Sequence, residues 1–289
     1  MLKIIFWDVQ HGSSAFVETP NGTRIAIDLG TGSLGSNTTF SPLLHLKNNG
    51  RVTQLDGVLI THPHRDHIDD IFNFDTLSPL TLLCPKHLTE VDIRIANQAK
   101  DNEVINKYLE ISSRYNQPTI NAYGIDTNPF RFENNGGVVW TTFTSTNCAT
   151  TNLNNHSIVS VLSYANSKIL IPGDNESASW KELLAMPLFR DAIIGTDILV
   201  ASHHGRESGF HSDLFKHISP KLTIVSDGPA GTTSVTSKYQ SQSSGWVVNN
   251  RTTNERKSRY CLTTRKDSVV VVKCGFNQDG TPYLRVDMG

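Results

Sequence analysis

Apolar positions along this chain fall mostly into short continuous or alternating runs, each closed by Gly, Pro, Asn or Asp. That pattern favours strands over long amphipathic helices. Residues 4–9, 15–19 and 24–29 predict three strands, with Pro20-Asn21-Gly22 as a hairpin turn. Residues 30–39, rich in Gly, Ser and Thr, predict a loop, and 41–47 a short helix with Pro42 in its first turn. Gly57-Val58-Leu59-Ile60 reads as a buried strand, 68–74 as the start of a helix, and 80–84 as a strand stopped by Pro85.

Helical spacing appears over 90–114, where Val91, Ile95, Val104, Ile105, Tyr108, Leu109 and Ile111 predict one or two surface helices. Several short strands broken by Asn and Gly are predicted over 119–146. Residues 158–164 and 168–171 predict a hairpin across Ala165-Asn166-Ser167. Helices follow at 177–184 and 212–218, and strands at 197–200, 222–226 and 268–273, the last of these valine-rich and final. Between them, 231–244 is rich in Ser, Thr, Gly and Gln and predicts a mobile loop. Two strand-rich halves, each carrying helices, predict an α/β fold with two sheets packed face to face and helices outside. No composition shift marks a linker, so residues 1–289 read as a single domain.

The strand ends carry the chemistry. Thr61-His62-Pro63-His64-Arg65-Asp66-His67 follows the first buried run, Pro172-Gly173-Asp174 follows the second, and His203-His204-Gly205 follows the third. Neutral imidazole and carboxylate are the usual ligands of a divalent ion that must also polarise water. Alternate residues His62 and His64 can face one ion while Asp66 and His67 turn to a second. Repetition of such ends on three strands predicts that they converge on one edge.

Composition adds exclusions. A formal charge of −1 gives no global field for nucleic acid or anionic membrane, although a local patch remains open. No apolar run approaches the ~18 residues that span a bilayer, and the N-terminus lacks a secretory pattern. Cys84, Cys148, Cys261 and Cys274 are scattered and read as structural thiols, with a ligand role for Cys148 the alternative. A cytoplasmic protein without membrane attachment is the expectation. Protein partners are unknown from sequence.

Together these residues resemble the metallo-β-lactamase fold, and within it the hydrolase domain of the ComEC/Rec2 competence proteins and their stand-alone relatives. The residues that carry the resemblance are the His62-x-His64-x-Asp66-His67 loop, Asp8-Val9-Gln10-His11-Gly12-Ser13-Ser14, Pro20-Asn21-Gly22, Ile27-Asp28, Asn154-Asn155-His156-Ser157, Gly173-Asp174 and His203-His204-Gly205. The resemblance implies an αββα sandwich holding two divalent ions, Zn²⁺ first, with Mn²⁺ or Fe as alternatives. It gives His62 and His64 to the first ion, Asp66 and His67 to the second, and Asp174 to both. His203 would complete the second site, and His204 would stand behind it or touch substrate. His156 would be the first site's third imidazole, or else a surface loop residue. His11 departs from the branch pattern and reads as a turn residue facing solvent, with reach to the edge of the site the alternative.

A metal-activated water then predicts hydrolysis. Asp66 would orient that water and accept its proton, and His204 would stabilise charge or protonate the leaving group. Asp28 would hold a ligand imidazole and Asp8 likewise, with satisfaction of loop backbone donors the alternative for either carboxylate. The resemblance implies a phosphodiesterase or nuclease. Between Arg251 and Lys266 lie six basic residues and one acid, Glu255, with Trp246 and Tyr260 nearby, which predicts contact with DNA or RNA. The alternatives are a small-molecule hydrolase of a phosphocholine-type ester, lactone or thioester, and a non-catalytic metal-stabilised binding module.

Overall fold

The computed structural model describes residues 1–32, 40–228 and 234–289. Its strands are β1 (Leu2–Phe6), β2 (Ala15–Glu18), β3 (Arg24–Ile27), β4 (Gly57–Leu59), β5 (Thr81–Leu83), β6 (Val139–Phe143), β7 (Val159–Tyr164), β8 (Ser167–Ile171), β9 (Ile198–Val200), β10 (Leu222–Val225), β11 (Trp246–Asn250), β12 (Arg256–Arg259), β13 (Cys261–Thr263), β14 (Val270–Phe276) and β15 (Pro282–Met288). The helices are α1 (Pro42–Asn48), α2 (Arg65–Ile68), α3 (Glu90–Ala96), α4 (Asn102–Arg114), α5 (Ser177–Ala185), α6 (Pro187–Ile193), α7 (Thr236–Gln242) and α8 (Thr264–Asp267). Among the described residues, one sheet runs β12-β11-β15-β14-β1-β2-β3-β4-β5 and the other β13-β10-β9-β8-β7-β6.

Strand alternation sorts the apolar residues into layers. Ile4, Val17, Ile25 and Leu59 from the first sheet meet Leu162, Ile169, Ile198 and Ile224 from the second in a central core. The opposite face of the first sheet, through Phe16, Ala26 and Val58, packs on Leu43, Leu46, Ile105, Tyr108 and Ile111 of α1 and α4. Behind the second sheet, Val161, Leu170 and Leu199 meet Trp180, Leu183, Phe189 and Tyr239 of α5, α6 and α7. The layer order is therefore helix, sheet, sheet, helix, as the sequence pattern predicts.

β3, β4 and β5 run parallel, as do β8, β9 and β10. The ends of β4, β8 and β9 supply the loops of the candidate site. The β7–β8 hairpin closes through Ala165 and Asn166, both at positive φ (47° and 55°), the two-residue turn that matches strand twist.

Three expectations differ. Over 119–146 the structure contains β6 and one bridge, Ile120 with Asp126, rather than several strands. Asn side chains there take over the backbone's partners: Asn121 accepts from the Tyr123 and Ile125 N–H groups, and Asn134 donates to the Asp126 and Asn128 carbonyls. The loop predicted at 231–244 contains α7, seated by buried Tyr239, while 231–233 lie outside the described residues. The loop predicted at 30–39 lies outside them over 33–39. Finally, β11, β12, β13 and β15 were not predicted, and 268–273 is not the last strand. β12 is Arg-Lys-Ser-Arg on a sheet edge, so it has no apolar alternation to read. Among the described residues, no helix is long and apolar enough to cross a membrane.

Candidate metal centre

Asp28 organises the histidine loop. It leaves β3 in the left-handed region (φ 56°), which aims its carboxylate across to the end of β4. One oxygen accepts from the Thr61 N–H at 2.7 Å, and the other lies 2.8 Å from His67 Nδ1. The chain then turns into the single turn of α2, which carries Asp66 and His67. Gly30 permits this crossing, because a Cβ there would stand 2.5 Å from the Asp66 carbonyl oxygen. On the facing sheet, Gly173 at φ 61° turns the end of β8 so that Asp174 points inward, and its N–H donates to Ser157 Oγ at 3.0 Å.

Four side chains converge between the sheets. His67 Nε2 lies 3.3 Å from Asp174 Oδ2, and His204 Nε2 lies 3.2 Å from Asp66 Oδ2 and 3.3 Å from Asp174 Oδ2. Ligand-type atoms of Asp66, His67, Asp174 and His204 all fall within 4.8 Å of one another. Both imidazole Nε2 atoms are buried and, apart from these carboxylates, have no polar partner in the protein. Two such nitrogens and two carboxylates sharing one buried centre fit a divalent cation.

The electrostatics agree. Burial opposes charge on Asp66, yet His67 and His204 outweigh it and hold the carboxyl well below the ordinary range. Asp174 behaves likewise beside His204 and His67. Burial also opposes charge on His204, but Asp174 and Asp66 push its pKa up to about 10. The pair of carboxylates thus demands positive charge at this point, which two imidazole protons or a cation can supply.

Beside the cluster, His62 Nε2 faces His64 Nδ1 at 3.0 Å. Burial pushes both toward the neutral form, His62 well below its ordinary value, where the neighbouring His67 and His64 add to the effect. Ser157 Oγ lies 3.2 Å from His62 Nδ1. The structure does not bring His156 into the four-residue group: its Nδ1 lies 3.2 Å from the Ser145 carbonyl and 3.0 Å from His87 Nε2. It is nevertheless fully buried rather than a surface residue, with Nε2 unpartnered. Asn154 donates through Nδ2 to Glu176 Oε1 at 3.1 Å, and its Oδ1 is buried without a partner.

The two adjacent histidines change places relative to the sequence expectation. His203 and His204 both adopt left-handed backbone (φ 50° and 53°), which turns the first to the rim and the second inward. His203 Nδ1 lies 2.9 Å from Glu176 Oε1 and 2.8 Å from Ser208 Oγ, with Nε2 3.9 Å from Asp174. The His203 hydrogen bond holds the Glu176 carboxyl down at about 2, against the effect of burial. Asp8 serves its own loop, accepting from Gln10 N–H at 3.2 Å. Cys148 sits beside Ser145 and Glu182, and all four cysteines are free.

A cavity of about 350 Å³ opens onto the cluster, with His11, His64, Asp174, His203 and Arg206 in its wall. His11 Nε2 lies 3.3 Å from Asp66 Oδ2, so this imidazole faces the site while remaining partly exposed. Arg206 approaches His203 Nε2 at 3.4 Å and His11 Nε2 at 3.3 Å. Arg65, lining the same cavity, is neutralised by Asp69 at 3.1 Å and Asp101 at 3.0 Å.

No protein-family model matches the chain, and neither does any curated protein. Among solved structures it is similar to a mutant of the CmlA β-hydroxylase, at 11% identity over 93% of this chain and 54% of that one, with a TM-score of 0.51. What they share is the fold. It is also similar to the metallo-β-lactamase fold protein YhfI from Bacillus subtilis (14% identity, 80% and 89% coverage, TM-score 0.40). A diphosphatase of the PhnP family gives 13% identity, 79% and 88% coverage and a TM-score of 0.41.

Sequence reasoning missed Asn154, Glu176 and Arg206 as parts of this site and gave His11 a place at its edge only as the second reading. Asn154 lay inside a motif but was masked by the adjacent His156. Glu176, two residues after Asp174, and Arg206, two after His204, had a signal only in their nearness to named residues.

Proposed function

We propose that this protein is a metal-dependent hydrolase of the metallo-β-lactamase superfamily that acts on phosphodiesters. The observation that carries the reading is the convergence of Asp66, His67, Asp174 and His204 on one buried centre, with both buried Nε2 atoms facing it. These four would hold one divalent ion, and His62 and His64 a second. Zn²⁺ suits this mixed nitrogen and oxygen set, and Mn²⁺ or Fe would also be accepted. Once bound, such ions act as Lewis acids and lower the pKa of water at the site toward neutrality.

The chain's own groups do the positioning. Asp28 faces His67 Nδ1 and thereby leaves Nε2 free to face the centre. Asp66, with one oxygen toward His204 and His11 and its carboxylate held ionised, would orient the attacking water as a hydrogen-bond acceptor. His204 supports this centre rather than acting as a free acid, because Nε2 faces both carboxylates.

Support for nucleic acid as the substrate is narrower. In the basic segment, Arg259 pairs with Asp267, Arg265 with Asp227 and Lys257 with Glu255, while Arg256 lies exposed on edge strand β12. The 350 Å³ cavity also suits a small phosphodiester, which is the second reading. Metal-loaded protein should hydrolyse bis(p-nitrophenyl) phosphate, and Asp174→Ala should abolish turnover. His204→Ala should lose bound metal, whereas His203→Ala should retain it. Oligonucleotides left intact while the chromogenic diester is cleaved would select the small-molecule reading. Failure of Zn²⁺- and Mn²⁺-loaded protein on both would end the phosphodiesterase proposal.

A further inference from the structure

Arg206 carries a charge that no acidic group in the protein answers. Among the described residues no carboxylate oxygen pairs with it within 4.0 Å, and residues 33–39 and 229–233 contain no Asp or Glu. A guanidinium has five N–H donors. Here its two contacts are long ones to imidazole nitrogens, at 3.4 and 3.3 Å, and its Nε is buried with no partner. Leaving such donors unsatisfied in a half-buried position costs free energy unless an anion arrives to take them.

The placement is fixed. Arg206 bridges to Ser234, its carbonyl accepts from the Gly209 N–H at 3.1 Å, and Val235 N–H donates to the Gly205 carbonyl at 2.7 Å. One imidazole, that of His11, separates the guanidinium from Asp66 of the cluster. Exposed Lys100 lines the same cavity, so the wall outside the cluster is cationic.

We propose that Arg206 is the anion-recognising residue of this site, taking a non-bridging oxygen of a singly charged phosphodiester and so selecting it over uncharged esters and lactones. A phosphodiester has two non-bridging oxygens, so one can face the cluster while the other meets Arg206. A lactone or neutral ester has a single uncharged carbonyl oxygen and leaves the guanidinium unanswered. The planar fork of Arg suits this role, and Lys at the same position would supply only a point charge. The choice of substrate rests on the hydrolase reading above, but anion binding by Arg206 does not.

The test uses metal-loaded wild type, Arg206→Gln and Arg206→Lys, with metal content measured in each. Calorimetry with dimethyl phosphate should show about 10- to 100-fold weaker binding for Arg206→Gln, the span expected for a charge-assisted hydrogen bond, and an intermediate loss for Arg206→Lys. In parallel, the ratio of kcat/KM for bis(p-nitrophenyl) phosphate to that for its uncharged methyl triester should fall by a similar factor in Arg206→Gln. The proposal is overturned if wild type does not bind dimethyl phosphate, if Arg206→Gln binds it as tightly as wild type, or if both esters lose rate equally. Arg206-dependent binding with turnover of neither ester would sink the hydrolase reading and leave this inference standing.

Discussion

His67 shows how one residue's environment dictates its use. The ring is fully buried, Asp28 stands 2.8 Å from Nδ1, and Nε2 faces Asp174 at 3.3 Å. Burial alone would keep it neutral, but Asp174, Asp28 and Asp66 raise its pKa well above the ordinary value. A bound cation would take the place of that extra proton. Asp28→Asn keeps an oxygen for Thr61 but removes the charge behind His67. It should weaken metal binding by about 10- to 100-fold, read by competition with a chromogenic chelator. Unchanged affinity would mean that Asp28 serves the loop backbone only.

At the scale of elements, α3 gives a pH prediction. Thr89 and Asp92 form a reciprocal cap: Thr89 Oγ1 accepts from the Asp92 N–H, and Asp92 accepts from the Thr89 N–H at 2.9 Å. Hydrogen bonds from Thr150 first, then Thr89, lower the Asp92 pKa from 3.8 to about 2. A folded-state pKa below the unfolded value means that the ionised form stabilises the fold. That contribution is fully present above pH 3.8 and disappears as pH falls through about 2. Asp92→Asn should therefore melt below wild type at pH 6, with the gap closing near pH 2. A gap of constant size would refute the assignment. α3 was legible as a helix from local spacing, but Val91 and Ile95, the positions that spacing named, are exposed, and Ile93 is the residue that is buried. β12 was not, because on the sheet edge it is built from polar residues that carry no apolar alternation.

Over the whole molecule, the cluster joins the two sheets. Asp66 and His67 come from the loop after β4 of the larger sheet, and Asp174 and His204 from the ends of β8 and β9 of the smaller one. A cation held there stabilises the assembled sandwich, because the unfolded chain does not bring these ligands together. At metal concentrations about 100-fold above Kd the gain is about 2.7 kcal/mol. Chelation should accordingly lower Tm by several degrees in a calorimetric scan at neutral pH. Removal of all metal without a change in Tm would contradict a cation linking the sheets.

The sequence by itself determined the layered α/β arrangement and the strand ends that bear ligand-type side chains. Those features follow from short-range patterning: alternation sets which face is buried, and a turn must follow where the apolar run stops. Tertiary structure alone decided that His204 and not His203 turns inward, since two consecutive left-handed residues reverse the order that spacing implies. It also drew His156 toward His87, brought His11 and Arg206 to the cavity, and built a sheet edge from polar strands. Each of these depends on contacts between segments far apart in the chain, which no local window of sequence contains.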